Sequence, residues 1–307
     1  MARRKKGNRV NGWLILDKPL EMTSTQAVGK IRWLYQAQKA GHAGTLDPLA
    51  TGILPIALGE ATKTVSFAVD GQKAYRFAVR WGVETTTDDT EGAAVRTSRY
   101  RPAVGEIEAL LPQFTGEIMQ TPPAFSAIKI DGQRAYDLAR EGEHVILEPR
   151  PVFIDLVRIV DTPDEATTVF EAECGKGTYV RAIARDLGRK LGCFGHVISL
   201  RRTRVGPFDN ASSITLAQLE ALHALDDGGV ELTRCLMPIE TALTDMTELN
   251  ITLSDASRLR LGQPVLIRGR DAPIMQGEVY AVCKGQLIAI GEIERGELRP
   301  TRVFNLD

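Results

Sequence analysis

The stretch from Gly41 to Pro55, Gly-His-Ala-Gly-Thr-Leu-Asp-Pro-Leu-Ala-Thr-Gly-Ile-Leu-Pro, leaves its backbone few choices. Pro48 has no N–H and disfavours the α region for the residue before it, so Asp47 is driven into an extended or turn conformation. Gly41, Gly44 and Gly52 permit backbone shapes that other residues resist, and they leave room for a close approach. Leu46, Leu49, Ile53 and Leu54 supply apolar contacts that pin such a loop to a core. The outcome is one carboxylate on a stiff loop among small neighbours. An isolated Asp-Pro reads as an Asx-turn in which the acid caps its own loop. The length of this string points instead to a functional acid.

The chain has 307 residues, 43% hydrophobic and 25% charged, as expected of a globular chain with one large and one small domain, or two domains. No apolar run approaches the roughly 20 residues that a membrane helix needs. The basic start is followed only by the apolar run Trp13–Leu16, too short for the core of a signal peptide, so a cytoplasmic chain is the expectation. Cys174, Cys193, Cys235 and Cys283 are scattered, as are His42, His144, His196 and His223, which argues for reduced thiols and against a zinc site. The net charge of −1 hides an asymmetry. From Lys176 to Arg204 eight cations face Asp186 alone, a local +7; from Glu220 to Glu248 seven acids face Arg234 alone, a local −6. A basic region in a neutral chain is the footprint of a polyanion site, although solvated helix faces give the same count.

Taken in order, residues 1–11 read as a disordered basic arm and Trp13–Leu16 as a short buried strand. Thr23 or Ser24 caps a helix whose apolar face is Ala27, Val28, Ile31, Leu34 and Tyr35, with Gly41 at its stop. Thr51–Val69 has no clean assignment. Tyr75, Phe77, Val79 and Trp81 alternate with polar or small residues, a half-buried strand in which Tyr75 reads as a core tyrosine. A short helix surrounds Ile107. Residues 122–151 read as an excursion from the core, with a turn at Asp131-Gly132 and helix near Ala135–Arg140. Thr168–Cys174 alternates again. Gly175-Lys-Gly-Thr-Tyr179 then enters a helix with Arg181, Arg185 and Arg189 on one face, either an anion site or a solvated face. From Ile251 short apolar runs separated by glycines indicate a small barrel or sandwich, with a boundary near residue 248.

Gly41–Pro55, together with Leu16-Asp-Lys-Pro19, Gly59-Glu-Ala-Thr-Lys63, Lys73-Ala-Tyr75, Thr87-Asp-Asp-Thr-Glu-Gly92, Pro122–Lys129, Gly177-Thr-Tyr-Val-Arg181 and Leu200-Arg-Arg-Thr-Arg204, resembles the bacterial tRNA pseudouridine-55 synthases across almost the whole chain. Phe125 stands where that family more often has Tyr. The tail is similar, more loosely, to the small RNA-binding PUA domain. The resemblance implies a mixed α/β (α+β) catalytic domain over 12–247. Its central sheet would be largely antiparallel and flanked by helices, with an insertion at about 122–151. A small PUA-like β-barrel would follow over 248–307, where Arg268, Arg270, Arg295, Arg299 and Arg302 are candidates for phosphate contacts.

The activity implied is an isomerase acting on the tRNA T-arm, without metal or organic cofactor, and a monomer is the expectation. It breaks the N1–C1′ bond of one T-loop uridine, turns the base and rejoins it through C5. Asp47 would be the catalytic carboxylate, Arg181 its partner and Tyr75 the residue stacked on the flipped base. Tyr179 and Leu200 would line the uracil pocket, and His42 would brace the T-loop or structure its own loop. Flipping a base costs a few kcal/mol, offset by stacking and base-edge hydrogen bonds. An ionised carboxylate can attack C1′ or help remove a sugar proton, and the sequence leaves both routes open. Three other classes remain: an RNA-binding protein without turnover, a guide-RNA-dependent synthase, and an aspartyl phosphoryl-transfer enzyme. The last lacks an acid two residues after Asp47 and any evident magnesium cluster.

Overall fold

A computed structural model of the chain describes residues 7–126, 128–130, 133–136, 147–225, 229–267 and 276–306. Up to residue 215 the strands are β1 (Gly12–Lys18), β2 (Ala40–His42), β3 (Ala50–Leu58), β4 (Lys73–Trp81), β5 (Val83–Thr85), β6 (Ala94–Thr97), β7 (Gly116–Gln120), β8 (Lys129–Ile130), β9 (Gln133–Arg134), β10 (Arg150–Asp164), β11 (Thr167–Cys174), β12 (Gly195–Val205), β13 (Phe208–Asp209) and β14 (Ile214–Thr215). Ten of them form one sheet in the order β14-β1-β3-β12-β4-β11-β10-β7, with β2 paired to β3 and β13 to β12. Its pairings are antiparallel except β1 with β14 and β12 with β3, which makes it the largely antiparallel central sheet expected.

The alternation in β4 works as its sequence requires. Phe77, Val79 and Trp81 are buried, and with Phe170 of β11 they pack against Val180, Ile183, Ala184 and Leu187 of the helix Val180–Lys190. Arg76 and Arg80 point to the opposite, solvated face. β3, in the stretch that resisted assignment, is a continuous buried run, as a central strand should be. Pro55 is tolerated there because β12 pairs with Ala50–Gly52 and β2 with Ile56–Leu58, so the proline falls in the gap where that side needs no donor. The strand then runs into a 3-10 turn, Gly59–Thr64, and the helix Val65–Asp70.

Three expectations are corrected. The first helix spans Ser24–Leu34 and stops well before Gly41: Gln36 turns the chain at φ +48°, and residues 40–42 form β2. The arm is shorter than residues 1–11, because the Asn8 N–H donates to Gln36 O at 2.7 Å and Asn8 bridges Ala37; residues 1–6 lie outside the described residues. Gly41 has an ordinary φ and open space at its Cβ, so only Gly44 (φ +91°) and Gly52 (φ +101°) need the freedom of glycine in that loop. The turn at Asp131-Gly132, residues 137–140 of the expected helix, and Arg268 and Arg270 also lie outside the described residues.

The tail forms a second sheet of β15 (Thr247–Asn250), β16 (Val265–Leu266), β17 (Gly277–Cys283), β18 (Gln286–Glu294) and β19 (Glu297–Val303), in the order β15-β17-β18-β19-β16. It is a curled half-barrel. Leu287, Ile290 and Phe304 share a core with Trp13, Ile15, Ala61 and Ala68 of the main body. Lys63 Nζ donates to Val303 O at 2.6 Å, and Arg302 donates to Lys63 O and Ser66 Oγ while its guanidinium lies 4.7 Å from the Phe67 ring centroid. Arg302, read as a phosphate contact, is therefore part of the joint between the two sheets. Arg299 is paired with Glu297 at 2.8 Å. Phe304 is 1% exposed, so Phe304→Ala should cost about 3–5 kcal/mol in a denaturant titration. A loss under about 1 kcal/mol would show that the two sheets do not depend on a common core.

Candidate active site

The Asp47 loop is held from several sides. Thr23 caps the first helix by accepting from Gln26 N. That leaves Ser24 free to clamp Leu46, donating to its carbonyl at 3.0 Å and accepting from its N–H at 2.9 Å. Lys18, fully buried, donates to the carbonyls of Pro19, Met22 and Pro48 at 2.8, 2.8 and 3.3 Å. Burial lowers its pKa to about 8, opposed by the Asp47 charge. Arg202 donates to the carbonyls of Gly44, Thr45 and Ile53. The turn itself is closed by the Asp47 backbone, whose carbonyl accepts from Ala50 N at 3.0 Å. The Asp47 side chain is thus not an Asx cap. Its Oδ2 lies 2.9 Å from Arg181 Nε.

Arg181 is buried in the first turn of the helix Val180–Lys190. Its Nη1 donates to Thr87 O at 2.8 Å and lies 3.5 Å from Asp89 Oδ2, and its Nη2 donates to Phe125 O at 2.9 Å. Gln120, also buried, fixes the entry to that helix by accepting from Tyr179 N at 2.8 Å and donating to Tyr179 O at 3.2 Å. The Tyr179 N–H is therefore already used by the protein rather than offered to an anion.

These elements surround a cleft of about 690 Å³. Asp47, Arg181, Tyr75, Tyr179 and His42 all line it, as do Lys73 and Arg202. Leu200 does not; it lines a separate recess of about 20 Å³ together with Asp47 and Arg181. Burial raises the Tyr75 phenol above its ordinary range, opposed by the Arg202 charge, and burial likewise raises Tyr179. His42 is held in β2, its Nδ1 buried without a hydrogen-bond partner, and burial lowers its pKa with help from Arg202. Among the described residues no group of three or more His, Cys, Asp or Glu side chains is arranged to hold a metal.

The basic stretch is largely neutralised from elsewhere in the chain. Lys176 pairs with Asp70, Arg181 with Asp47, Arg185 with Asp88, Arg189 with Glu84, Arg201 with Asp17 and Arg204 with Glu173. The run of like charge is therefore not, by itself, an RNA footprint. Arg185 is only 5% exposed and belongs to the buried network, not to a solvated helix face. Sequence reasoning missed Lys18, Ser24, Gln120, Asp89 and Arg202 as parts of the site. For Arg202 there was a signal: it stands two residues after Leu200, on the same face of a strand.

Asp88 is 5% exposed and strained at φ +62°. Burial raises its pKa to about 6, with the Arg185, Arg181 and Arg189 charges opposing. Between the ordinary carboxyl pKa and about 6 the folded state binds the extra proton, so this group's contribution to stability is lost as pH rises through about 6. Measured against Asp88→Asn, the unfolding free energy should fall by about 2 kcal/mol between pH 4 and pH 7 and level off above. A difference that is flat with pH, or that rises, refutes this.

Comparison with known proteins follows the same outline. Residues 32–180 match the family described as TruB family pseudouridylate synthase (N terminal domain), residues 181–244 the tRNA pseudouridylate synthase B C-terminal domain, and residues 247–304 Pseudouridine synthase II TruB, C-terminal. The chain is 60% identical over 298 residues to the tRNA pseudouridine synthase B of Nitrobacter winogradskyi, covering 97% of this chain and 83% of that protein. It is 55% identical over 305 residues to that of Rhizobium meliloti, covering 98% of each. Among solved structures it resembles a chain of a Cbf5-Nop10-Gar1 complex, with TM-score 0.74 and 25% identity over 96% of this chain and 84% of that one.

Proposed function

Because the chain belongs to the TruB family of pseudouridylate synthases, and is an isomerase as that family is, we propose that it converts uridine 55 in the T-loop of tRNA to pseudouridine, with Asp47 as the catalytic carboxylate. The observation that carries this reading is the Asp47–Arg181 pair at 2.9 Å on the wall of a cleft also lined by Tyr75, Tyr179 and His42. The guanidinium attracts the carboxylate and fixes its direction. The Asp47 side chain is 40% exposed while that of Arg181 is 7% exposed, so the carboxylate is the more open member of the pair.

The chemistry runs without net gain or loss of atoms. The target uridine leaves its stack and enters the cleft, where Tyr75 offers an aromatic face. The N1–C1′ bond breaks and its electron pair leaves with the base. Asp47 either bonds to C1′ or helps remove a sugar proton, giving a glycal. The base turns and C5 bonds to C1′ as the Asp47–C1′ bond breaks or, on the glycal route, as the removed proton returns to the sugar; the C5 proton then departs and N1 is protonated. Tyr179 lines the uracil site, Leu200 bounds it from the recess behind Asp47, and His42 supports the emptied T-loop. The unit from residue 248 onward adds contacts to the tRNA that position without specifying sequence.

Purified protein incubated with tRNA transcripts, followed by mapping of pseudouridine, tests the reading. One product at the T-loop uridine is expected, with or without a metal chelator. No product, or product elsewhere, refutes it. Asp47→Asn should abolish turnover while the RNA dissociation constant changes less than about threefold, since the charge acts in chemistry rather than docking. Arg181→Lys should lose at least ~100-fold in turnover, because an ammonium cannot replace a guanidinium joined to four groups at once. A near-normal rate in Arg181→Lys removes Arg181 from the active site.

A further inference from the structure

We infer that Arg202 is the positioning residue of the Asp47 loop: its guanidinium ties both ends of that loop, Gly44–Thr45 and Ile53, to strand β12 and so fixes where the carboxylate stands. This rests on the role proposed for Asp47. Arg202 is 2% exposed. Its Nε donates to Ile53 O at 2.8 Å, its Nη1 to Thr45 O at 3.2 Å and its Nη2 to Gly44 O at 3.1 Å. Its charge also acts on the Tyr75 phenol, opposing the rise that burial causes.

The setting is unusual for a buried cation. Arg181, Arg185, Arg189, Arg201 and Arg204 around it each pair with a carboxylate. Among the described residues Arg202 forms no such pair, and the hydrogen bonds of its fork go to backbone carbonyls. Burying a charge without a counter-charge is unfavourable, and an apolar side chain would fill the space without that cost. A leucine could not give hydrogen bonds to three carbonyls on two sides of a loop. A lysine also has three donors, as Lys18 shows, but they diverge from a single point, while the arginine fork spans a plane and reaches carbonyls that lie further apart.

Main-chain packing reinforces the tie. Gly52 passes so close to β12 that a Cβ there would lie 2.1 Å from Arg202 O. Ser24 and Lys18 hold the middle of the loop at Leu46 and Pro48, and Arg202 holds its ends. One residue thereby ties the loop that carries Asp47 to β12 at both ends. A displacement of about 1 Å at the reacting group is enough to lose about 100-fold in rate.

The test is Arg202→Lys, run beside wild type and Asp47→Asn, with a T-arm transcript as substrate. Single-turnover rate at saturating RNA, RNA dissociation constant and amide hydrogen exchange are measured on each. The rate should fall about 100-fold, binding should stay within about threefold, and exchange of the 43–53 amides should speed up while Phe77–Trp81 stay protected. An unreactive wild type sinks the functional reading itself. An active wild type matched by Arg202→Lys sinks only this inference. A loss confined to RNA affinity, or a slower rate with unchanged loop exchange, also overturns it, since Arg202 would then act in docking or elsewhere. If Arg202→Lys does not fold, Ser24→Ala loosens the same loop from its other side and should give the same pattern at roughly tenfold; a wild-type rate in that variant overturns the claim that the loop's anchorage sets the chemistry.

Discussion

Arg181 joins three segments that are far apart in the chain. Its Nε holds Asp47, its Nη1 the Thr87 carbonyl and its Nη2 the Phe125 carbonyl, with Asp89 at 3.5 Å from Nη1. A guanidinium can do this because its donors are fixed in one plane, so aligning one bond aligns the others. The helix that carries it is in turn fixed by Gln120 at its entry and by the apolar face of Val180, Ile183, Ala184 and Leu187. Removing any one partner leaves the rest of a buried charge to be satisfied, which costs more than the pair contributes when complete. The direction of the Asp47 carboxylate is therefore coupled to the core of the main sheet through one side chain.

What the sequence disclosed, and what it hid, divides along a physical line. Patterns that depend on neighbours in the chain were legible. The alternation of Tyr75 to Trp81, the Thr23 cap, the glycine-punctuated tail and the constrained Asp47 string each correspond to a local feature of the structure. Patterns that depend on distant partners were not. The stretch Thr51–Val69 resisted assignment because a strand buried between β1 and β12 has no alternation to read. The helix end was misplaced because Gln36, not a glycine, takes the left-handed turn. Lys18 and Ser24 appear in the sequence as an ordinary lysine and a helix cap, and only the return of the chain at Leu46–Pro48 gives them their partners.

The charge count misled for the same reason. Eight cations between Lys176 and Arg204 suggest a surface that attracts a polyanion, yet six of them meet carboxylates contributed by five other segments. Exposed pairs such as Lys176–Asp70 contribute little to stability. The buried ones, Arg181 and Arg185, are different. They order the loop between Thr85 and Gly92 and the chain around Thr121 and Phe125, so the sequence asymmetry is one of internal architecture.

The two buried guanidiniums that face the cleft then do opposite things. Arg181 is matched by carboxylates, and its charge is used to direct Asp47. Arg202 is matched by carbonyl oxygens, and its charge remains unneutralised beside Tyr75, His42 and Lys73, all of which feel it. Among the described residues the cleft is lined by Lys73, Lys176, Arg181 and Arg202 and by the acids Asp47, Asp89 and Glu91, of which Asp47 is the one held 2.9 Å from Arg181 Nε. A leaving pyrimidine that carries the electron pair of a broken N1–C1′ bond is an anion, and a fixed positive potential in a half-closed cleft favours such a species more than it favours the neutral base that entered. On the function proposed above, the Arg202 charge that holds the loop would also favour that anion, without any group having to move.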